Sequence, residues 1–379
     1  MQYIEQIILF PFLFLTLLSC QSKKNYSIEW ENGTLICIAD EGAYPRMRRL
    51  DDNSLIVAYE NRRGDVLVKR SFDEGTTWRD PVLAYEKFDY TDEKTGEQTK
   101  VNIANPEIVQ LDNGDILLST NLRPRTEGIY PFSIASKKST DYGVTWSEPT
   151  ILYQAGTYFR DGCWEPSFLI LPNDTLHLYF ANEFPYRNSD EQEISVIYSV
   201  DNGVSWSREH TTVSFRKNKR DGMPVAVYDG SHIYVAIEDN LSKQFKPYLV
   251  KSSVQQAWKE PVLEDSPCRY PALKNPPDDE IYAGAPYQIL TDKGLFVLSY
   301  QTTENRTSDW ELSTMEVVVS DIPSDFRNAS QPFDVPLSKE AKWNSLCDLG
   351  NNTVAALSST NFNSDKIGIW MIKGKIIKI

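Results

Sequence analysis

Five prolines, Pro45, Pro106, Pro166, Pro224 and Pro286, follow one another at gaps of 61, 60, 58 and 62 residues. Each opens the same kind of stretch: YPRMRRLDDNSLIVAYE, NPEIVQLDNGDILLSTN, EPSFLILPNDTLHLYFANE, MPVAVYDGSHIYVAIED and APYQILTDKGLFVLSYQ. A sixth, proline-less copy, WNSLCDLGNNTVAALSST, covers 343–360. Self-similarity at a fixed period marks a repeat architecture. Each copy is two apolar runs around an Asx/Gly turn, the signal of a β-hairpin.

A second motif falls between these copies. SFDEGTTW (71–78), STDYGVTW (139–146) and SVDNGVSW (199–206) share Ser-x-Asp-x-Gly-x-(Thr/Ser)-Trp. Asp73, Asp141 and Asp201 can accept N–H groups across a tight turn. Gly75, Gly143 and Gly203 supply positive φ, and Trp78, Trp146 and Trp206 can fold back onto neighbouring strands. The motif resembles the Asp-box of sialidase-type propellers and is read as structural. One further strand leads into each box and another leaves it, making four antiparallel strands per unit. Six units predict an all-β, six-bladed β-propeller of four-stranded blades with almost no helix. Either GTLICIA (33–39) or GKIIKI (374–379) would supply the strand that closes the ring.

Aromatics make up 12% of the 379 residues, a bias that suits strands and sugar-stacking surfaces. A net charge of −14 argues against nucleic acid as a partner. Residues 7–18 form an apolar run too short to span a bilayer and read as a secretory h-region. The run leads into Leu17-Leu18-Ser19-Cys20, which resembles a bacterial lipobox, although MQYIEQ before it has no Lys or Arg. The expected organisation is a lipoprotein signal peptide over 1–20 with Cys20 lipidated, a tether over 21–30 and one propeller over 31–379. This places the protein in the bacterial cell envelope, touching membrane only through its N-terminal anchor. Cys37, Cys163, Cys268 and Cys347 remain, as free thiols or with one disulfide among them. No Cys/His spacing suits a metal, and no cofactor is expected.

If the Asp-boxes lie on one face, first strands start and second strands end on the other. The residues before each proline (Tyr44, Asn105, Glu165, Met223, Ala285) should then ring one mouth with Glu60, Asn121, Glu183, Glu238 and Gln301. Four of these ten are glutamates. Salt bridges to nearby arginines are the expected role of Glu60 and Glu183. Glu165 and Glu238 are the expected catalytic pair, because glycoside hydrolysis generally uses two carboxyls flanking one bond. Arg46, Asn105, Trp164, Asp161, Glu183, Tyr270 and Tyr287 are the candidate substrate contacts.

CWEPSF (163–168), GMPVAVYDGSHIYVAIED (222–239), YPRMRRL (44–50) and ANPEIVQLDNGDIL (104–117) resemble the motifs of glycoside hydrolase family 93. The resemblance covers most of 44–305 and fades from 306. It implies a six-bladed exo-α-L-arabinanase that releases arabinobiose from α-1,5-arabinan with retention, acting on an oligo- or polysaccharide. By position it gives Glu165 and Glu238 as the catalytic pair and leaves open which of them attacks; Glu165 is taken as the nucleophile and Glu238 as the acid/base, because neighbouring Asp239 could raise its pKa as a like charge. AYENRRGDVLVKRSFDEGTTW (58–78) is similar to the first blade of bacterial sialidases, with Asp65 near their acid position, so a sialidase is the alternative. A surface glycan-binding lipoprotein without catalysis is the third reading.

Overall fold

Every blade begins with the same distortion. A computed structural model describes residues 24–379, and in it Tyr44, Asn105, Glu165, Met223, Ala285 and Trp343 all have left-handed φ, between 46° and 57°. At each one the register of the first hairpin shifts by a β-bulge. A non-glycine residue in this region costs roughly 1–2 kcal/mol, so six in equivalent positions imply that the ring enforces the conformation. The repeat therefore encodes a turned residue that aims its side chain at the axis.

The first two strands of the blades are Ala43–Arg49 with Leu55–Glu60, Gln98–Gln110 with Ile116–Pro124, and Cys163–Ile170 with Leu176–Asn182. They continue as Asp221–Tyr228 with His232–Asp239, Ala283–Leu290 with Phe296–Thr302, and Ala341–Gly350 with Thr353–Thr360. Two outer strands complete each sheet, and all within-blade pairings are antiparallel. Blade 2 carries an added strand, Phe88–Thr91, beside the start of its first strand. The hairpin turns use the residues expected of them: Asn53, Gly114, Asp174, Gly230 and Gly294 all have positive φ. The helical segments among the described residues are four three-residue 3-10 turns.

Ring closure uses both termini. Gly368–Lys378 is the third strand of blade 6, and both Tyr26–Trp30 and Ile36–Ala39 pair with it from the N-terminal side. Residues 26–30, expected as tether, are therefore part of the propeller. Cys20 and the apolar run before it lie outside the described residues. Closure by both ends is favourable because a strand edge left open would present unpaired N–H and C=O groups.

The core is six wedges rather than one centre. Ile56 and Val68 of blade 1 meet Ile108 and Leu118 of blade 2, and Val297 and Val317 of blade 5 meet Val354 and Ile372 of blade 6. The other four interfaces hold equivalent clusters. The Asp-boxes lock these interfaces. Thr77 donates its N–H to Asp73 Oδ1 at 2.8 Å and its hydroxyl to Oδ2 at 2.6 Å, while Gly75 N–H donates to Ser71 Oγ at 2.8 Å. Asp141 and Asp201 repeat these bonds. A Cβ on Gly75 would meet Met371 of blade 6 at 2.6 Å, and one on Gly143 would meet Ile56 of blade 1 at 2.9 Å. Each of the three boxes thus seats its own blade, 1, 2 or 3, on the one before it, Gly203 facing Leu117 of blade 2 in the same way. Cys37, Cys163, Cys268 and Cys347 are free thiols, so no disulfide joins them.

Candidate active site

The six left-handed residues meet around the axis on the face opposite the Asp-boxes. Tyr44, Met223, Ala285 and Trp343 pack together as one apolar group drawn from four different blades. Glu165 completes this ring beside a cavity of about 270 Å³, which Glu238 also lines. Met223, Gln244, Phe245, Tyr282, Trp310 and Trp343 form the rest of its wall. The two expected carboxyls therefore share one cavity.

Their environments differ. Glu238 Oε2 accepts the Ala285 N–H at 2.8 Å. Its slot is walled by glycine: a Cβ on Gly222 would lie 3.0 Å from Glu238 Oε1, and one on Gly284 would lie 2.6 Å from Oε2. Burial pushes the Glu238 carboxyl up to about 7, against the Ala285 N–H and the Arg220 charge. Glu165 is anchored by its backbone, whose N–H donates to Asn121 Oδ1 at 2.8 Å, and its carboxyl accepts no hydrogen bond from the described residues. Burial, and then the charge of Glu238, push it up to about 7, while Arg123 and Arg220 favour its ionised form. Two carboxyls raised this far share protons as a pair near neutrality.

Asp239 plays no part in this. It lies on the other side of the strand, where Arg216 donates to it at 2.9 and 3.1 Å and Arg269 at 2.6 Å. The expected like-charge effect on Glu238 is replaced by burial, because strand alternation sends neighbours to opposite faces.

Several expected contacts have structural roles instead. Arg46 is 3% exposed and lies below the ring, its guanidinium 3.8 Å from the Tyr44 ring centre and its Nε 3.5 Å from Glu107. Tyr287 is 1% exposed and accepts a 2.7 Å bond from Arg48 across the axis. With Glu107 and Arg48 these residues close the channel beneath the cavity. Asp161 caps the 3-10 turn Phe159–Asp161 by accepting the Tyr158 N–H at 2.9 Å. Tyr270 lies in the outer strand Arg269–Pro271, furthest from the axis, packed in the wedge between blades 4 and 5. Asn105 is in the ring but buried, and its N–H donates to Glu60 at 3.2 Å.

Trp164 is buried and donates Nε1 to Glu183 at 3.0 Å. Glu183 is paired with Arg220, as expected, but lies two residues past the ring position, which is Ala181 opposite Trp164. Glu60 has no ion pair among the described residues. It is held by the Asn105 N–H with Arg46 and Arg123 nearby, and burial raises it. Asp65, the sialidase-like acid, accepts the Lys87 N–H at 3.0 Å and pairs with its ammonium, so its carboxyl is held below its ordinary range despite burial.

Sequence reasoning missed the aromatic wall. Trp343 was legible as the residue at the sixth ring position, where the absent proline hid it. Tyr282, Phe245 and Trp310 come from strand ends and loops that carry no repeat signal. Trp310 stands edge-on to Tyr282 and Trp343, with ring centres 6.1 and 6.3 Å apart. A larger cavity of about 670 Å³ opens at the opposite mouth, lined by Val109, Leu169, Val227 and Ile289. The Arg46–Glu107–Arg48–Tyr287 plug separates it from the carboxyl pair.

No family model matches the chain, and no curated protein does either. Solved structures do. An α-L-arabinanase of Penicillium chrysogenum complexed with arabinobiose superposes with a TM-score of 0.65 at 16% identity, over 92% of this chain and 98% of that one. The GH93 α-L-arabinofuranosidase of Fusarium graminearum with arabinobiose gives 0.65 at 16%, over 91% and 97%. The NanB sialidase of Streptococcus pneumoniae gives 0.60 at 12%, over 92% of this chain and 70% of that one. The chain has the six-bladed propeller fold shared by the GH93 arabinanases and the sialidases.

Proposed function

We propose that the protein is a retaining glycoside hydrolase, an exo-α-1,5-L-arabinanase that releases arabinobiose from arabinan chain ends. The observation that carries this reading is the pair Glu165 and Glu238 on one small aromatic-walled cavity, both raised far above the ordinary carboxylate range. Retention uses one carboxylate to attack the anomeric carbon and one carboxylic acid to protonate the leaving oxygen. Two guanidinium groups, Arg123 and Arg220, favour charge on Glu165, which suits the nucleophile. Burial raises Glu238 to about 7 against the Ala285 N–H and Arg220, and its Oε1 accepts no hydrogen bond from the described residues, which leaves it open to act as acid and later as base. In the first step Glu165 bonds to the anomeric carbon, the glycosidic bond breaks, and the Glu238 proton passes to the departing oxygen. Water then gives its proton to Glu238 and its oxygen to the anomeric carbon, freeing Glu165. Trp310, Trp343, Tyr282 and Phe245 offer apolar faces to the sugar rings.

A sialidase needs several unpaired arginines to grip a carboxylate. Here Arg46 is committed to Glu107 and Arg220 to Glu183, the described lining of the cavity includes no arginine, and Asp65 is tied to Lys87. Incubation with linear arabinan and with sialyllactose, followed by product chromatography, separates the readings. Arabinobiose supports the first, free sialic acid replaces it with the second, and turnover of neither favours a glycan-binding protein. The anomer first formed from arabinan, followed by proton NMR, tests retention. We also propose that the chain is lipid-anchored through Cys20 in the bacterial envelope. Cys20→Ser should then move it from the membrane fraction to the soluble one.

A further inference from the structure

Five side chains at the ends of second strands reach across to the next blade and accept the N–H of its left-handed ring residue. Glu60 holds Asn105, Asn121 holds Glu165, Glu238 holds Ala285, Gln301 holds Trp343 and Ser359 holds Tyr44. The sixth position is Ala181, which has no acceptor to offer. These bonds answer a local conflict: a side chain makes left-handed φ costly, and at four of the five, all but Trp343, a following proline restricts the residue further.

Gln301 also donates its Nε2 to the Tyr282 hydroxyl at 3.0 Å, but the clamp that both accepts from and donates to the run carrying a cavity carboxyl is Asn121. It is fully buried, and while Oδ1 accepts the Glu165 N–H, Nδ2 donates to Cys163 O at 2.7 Å. The short run 163–165 is thus gripped on both sides of Trp164. A carboxylate like Glu60 or Glu238 could accept the N–H but could not donate to Cys163, and would add a negative charge beside Glu165. The amide is the one group of this size that meets both needs without charge. The Glu165 carboxyl accepts no hydrogen bond from the described residues, so its direction depends on where the backbone places it and on the packing around it.

We infer that Asn121 is the positioning residue for Glu165, fixing the place of the 163–165 run, gripped at Cys163 O and Glu165 N–H, so that the carboxyl faces the cavity. The kinetic arm of the test rests on the hydrolase reading; the structural arm does not. Asn121→Ala is compared with Ser359→Ala, which removes the same kind of clamp from Tyr44. Asn121→Ala should lower kcat on arabinan about 10–10²-fold with KM nearly unchanged, since small misplacements of reacting groups are costly. Ser359→Ala should leave kcat close to wild type even if it lowers Tm. Crystal structures should show the 163–165 run and the Glu165 carboxyl displaced in Asn121→Ala, with residue 165 still left-handed as Met223 is without a clamp, and in place in Asn121→Asp. Carbon-13 NMR of labelled Glu should show its titration moved upward in Asn121→Asp by the added charge. An unaltered Glu165 carboxyl position and titration in Asn121→Ala overturns the inference. Absence of glycan turnover by the wild-type protein overturns the hydrolase reading while leaving this structural arm to be judged separately.

Discussion

Glu238 and Ala285 are joined by a 2.8 Å hydrogen bond across two blades, so the carboxyl read as the acid also ties blade 4 to blade 5. The same bond is made in blade 5 by a neutral amide, Gln301 to Trp343 at 2.9 Å. Glu238→Gln therefore substitutes one native solution for another and should fold with wild-type cooperativity. Its activity on arabinan should fall about 10²–10⁴-fold, the usual contribution of a general acid. Glu238→Ala should lose the tie as well, lowering stability by about 1 kcal/mol in urea titrations. Full activity in Glu238→Gln would remove it from the mechanism.

The raised carboxyls tie stability to pH. The unfolded chain releases these protons near pH 4.5, while the folded state holds them until about 7. The unfolded state thus binds fewer protons between those values, and native stability falls as pH rises through that window. The native state is favoured below it. Glu165→Gln removes one such group and should raise Tm relative to wild type at pH 7.5, with a smaller difference at pH 4.5. Calorimetry at the two pH values checks the sign.

The rate should follow a bell in pH whose limbs both lie well above the ordinary carboxylate range. The acidic limb reports ionisation of the nucleophile and the basic limb loss of the acid's proton, as properties of the pair. Initial rates on arabinan across pH 4–9 would show this. Activity that keeps rising with pH past neutrality would contradict a protonated acid in the pair.

Trp310 is 41% exposed at the cavity edge, touches Tyr282 and Trp343 by ring contacts and carries the Lys342 ammonium 4.9 Å over its ring, with no hydrogen bond from its indole among the described residues. Trp310→Ala should therefore raise KM several-fold while leaving Tm within a degree or two. Isothermal titration of the Glu165→Gln protein with arabino-oligosaccharides checks it without turnover.

Gly143 has φ of +84°, and a Cβ there would crowd Ile56 of the preceding blade at 2.9 Å. Gly143→Ala should destabilise by roughly 1–3 kcal/mol through backbone strain and displaced packing. Chemical unfolding measures this, and activity of the folded fraction should be unchanged because the box lies on the face away from the cavity.

The sequence by itself determined the blade count, the hairpins and the Asp-boxes, because each is written within a stretch of about sixty residues and depends on neighbours along the chain. Strand alternation also let it single out Glu165 and Glu238 as facing one mouth. What only the tertiary structure decided are contacts between blades. Asp239 was taken as a neighbour of Glu238 but belongs to Arg216 and Arg269. Tyr287 and Arg46 were taken as sugar contacts but close the channel with Glu107 and Arg48. Trp310, Phe245 and Tyr282 reach the cavity from segments with no repeat signal. Both ends of the chain, rather than one, complete blade 6. The physical reason is common to all of these: a ring brings together residues from different repeats, and their partners are chosen by packing at the axis and between blades, which no local pattern records.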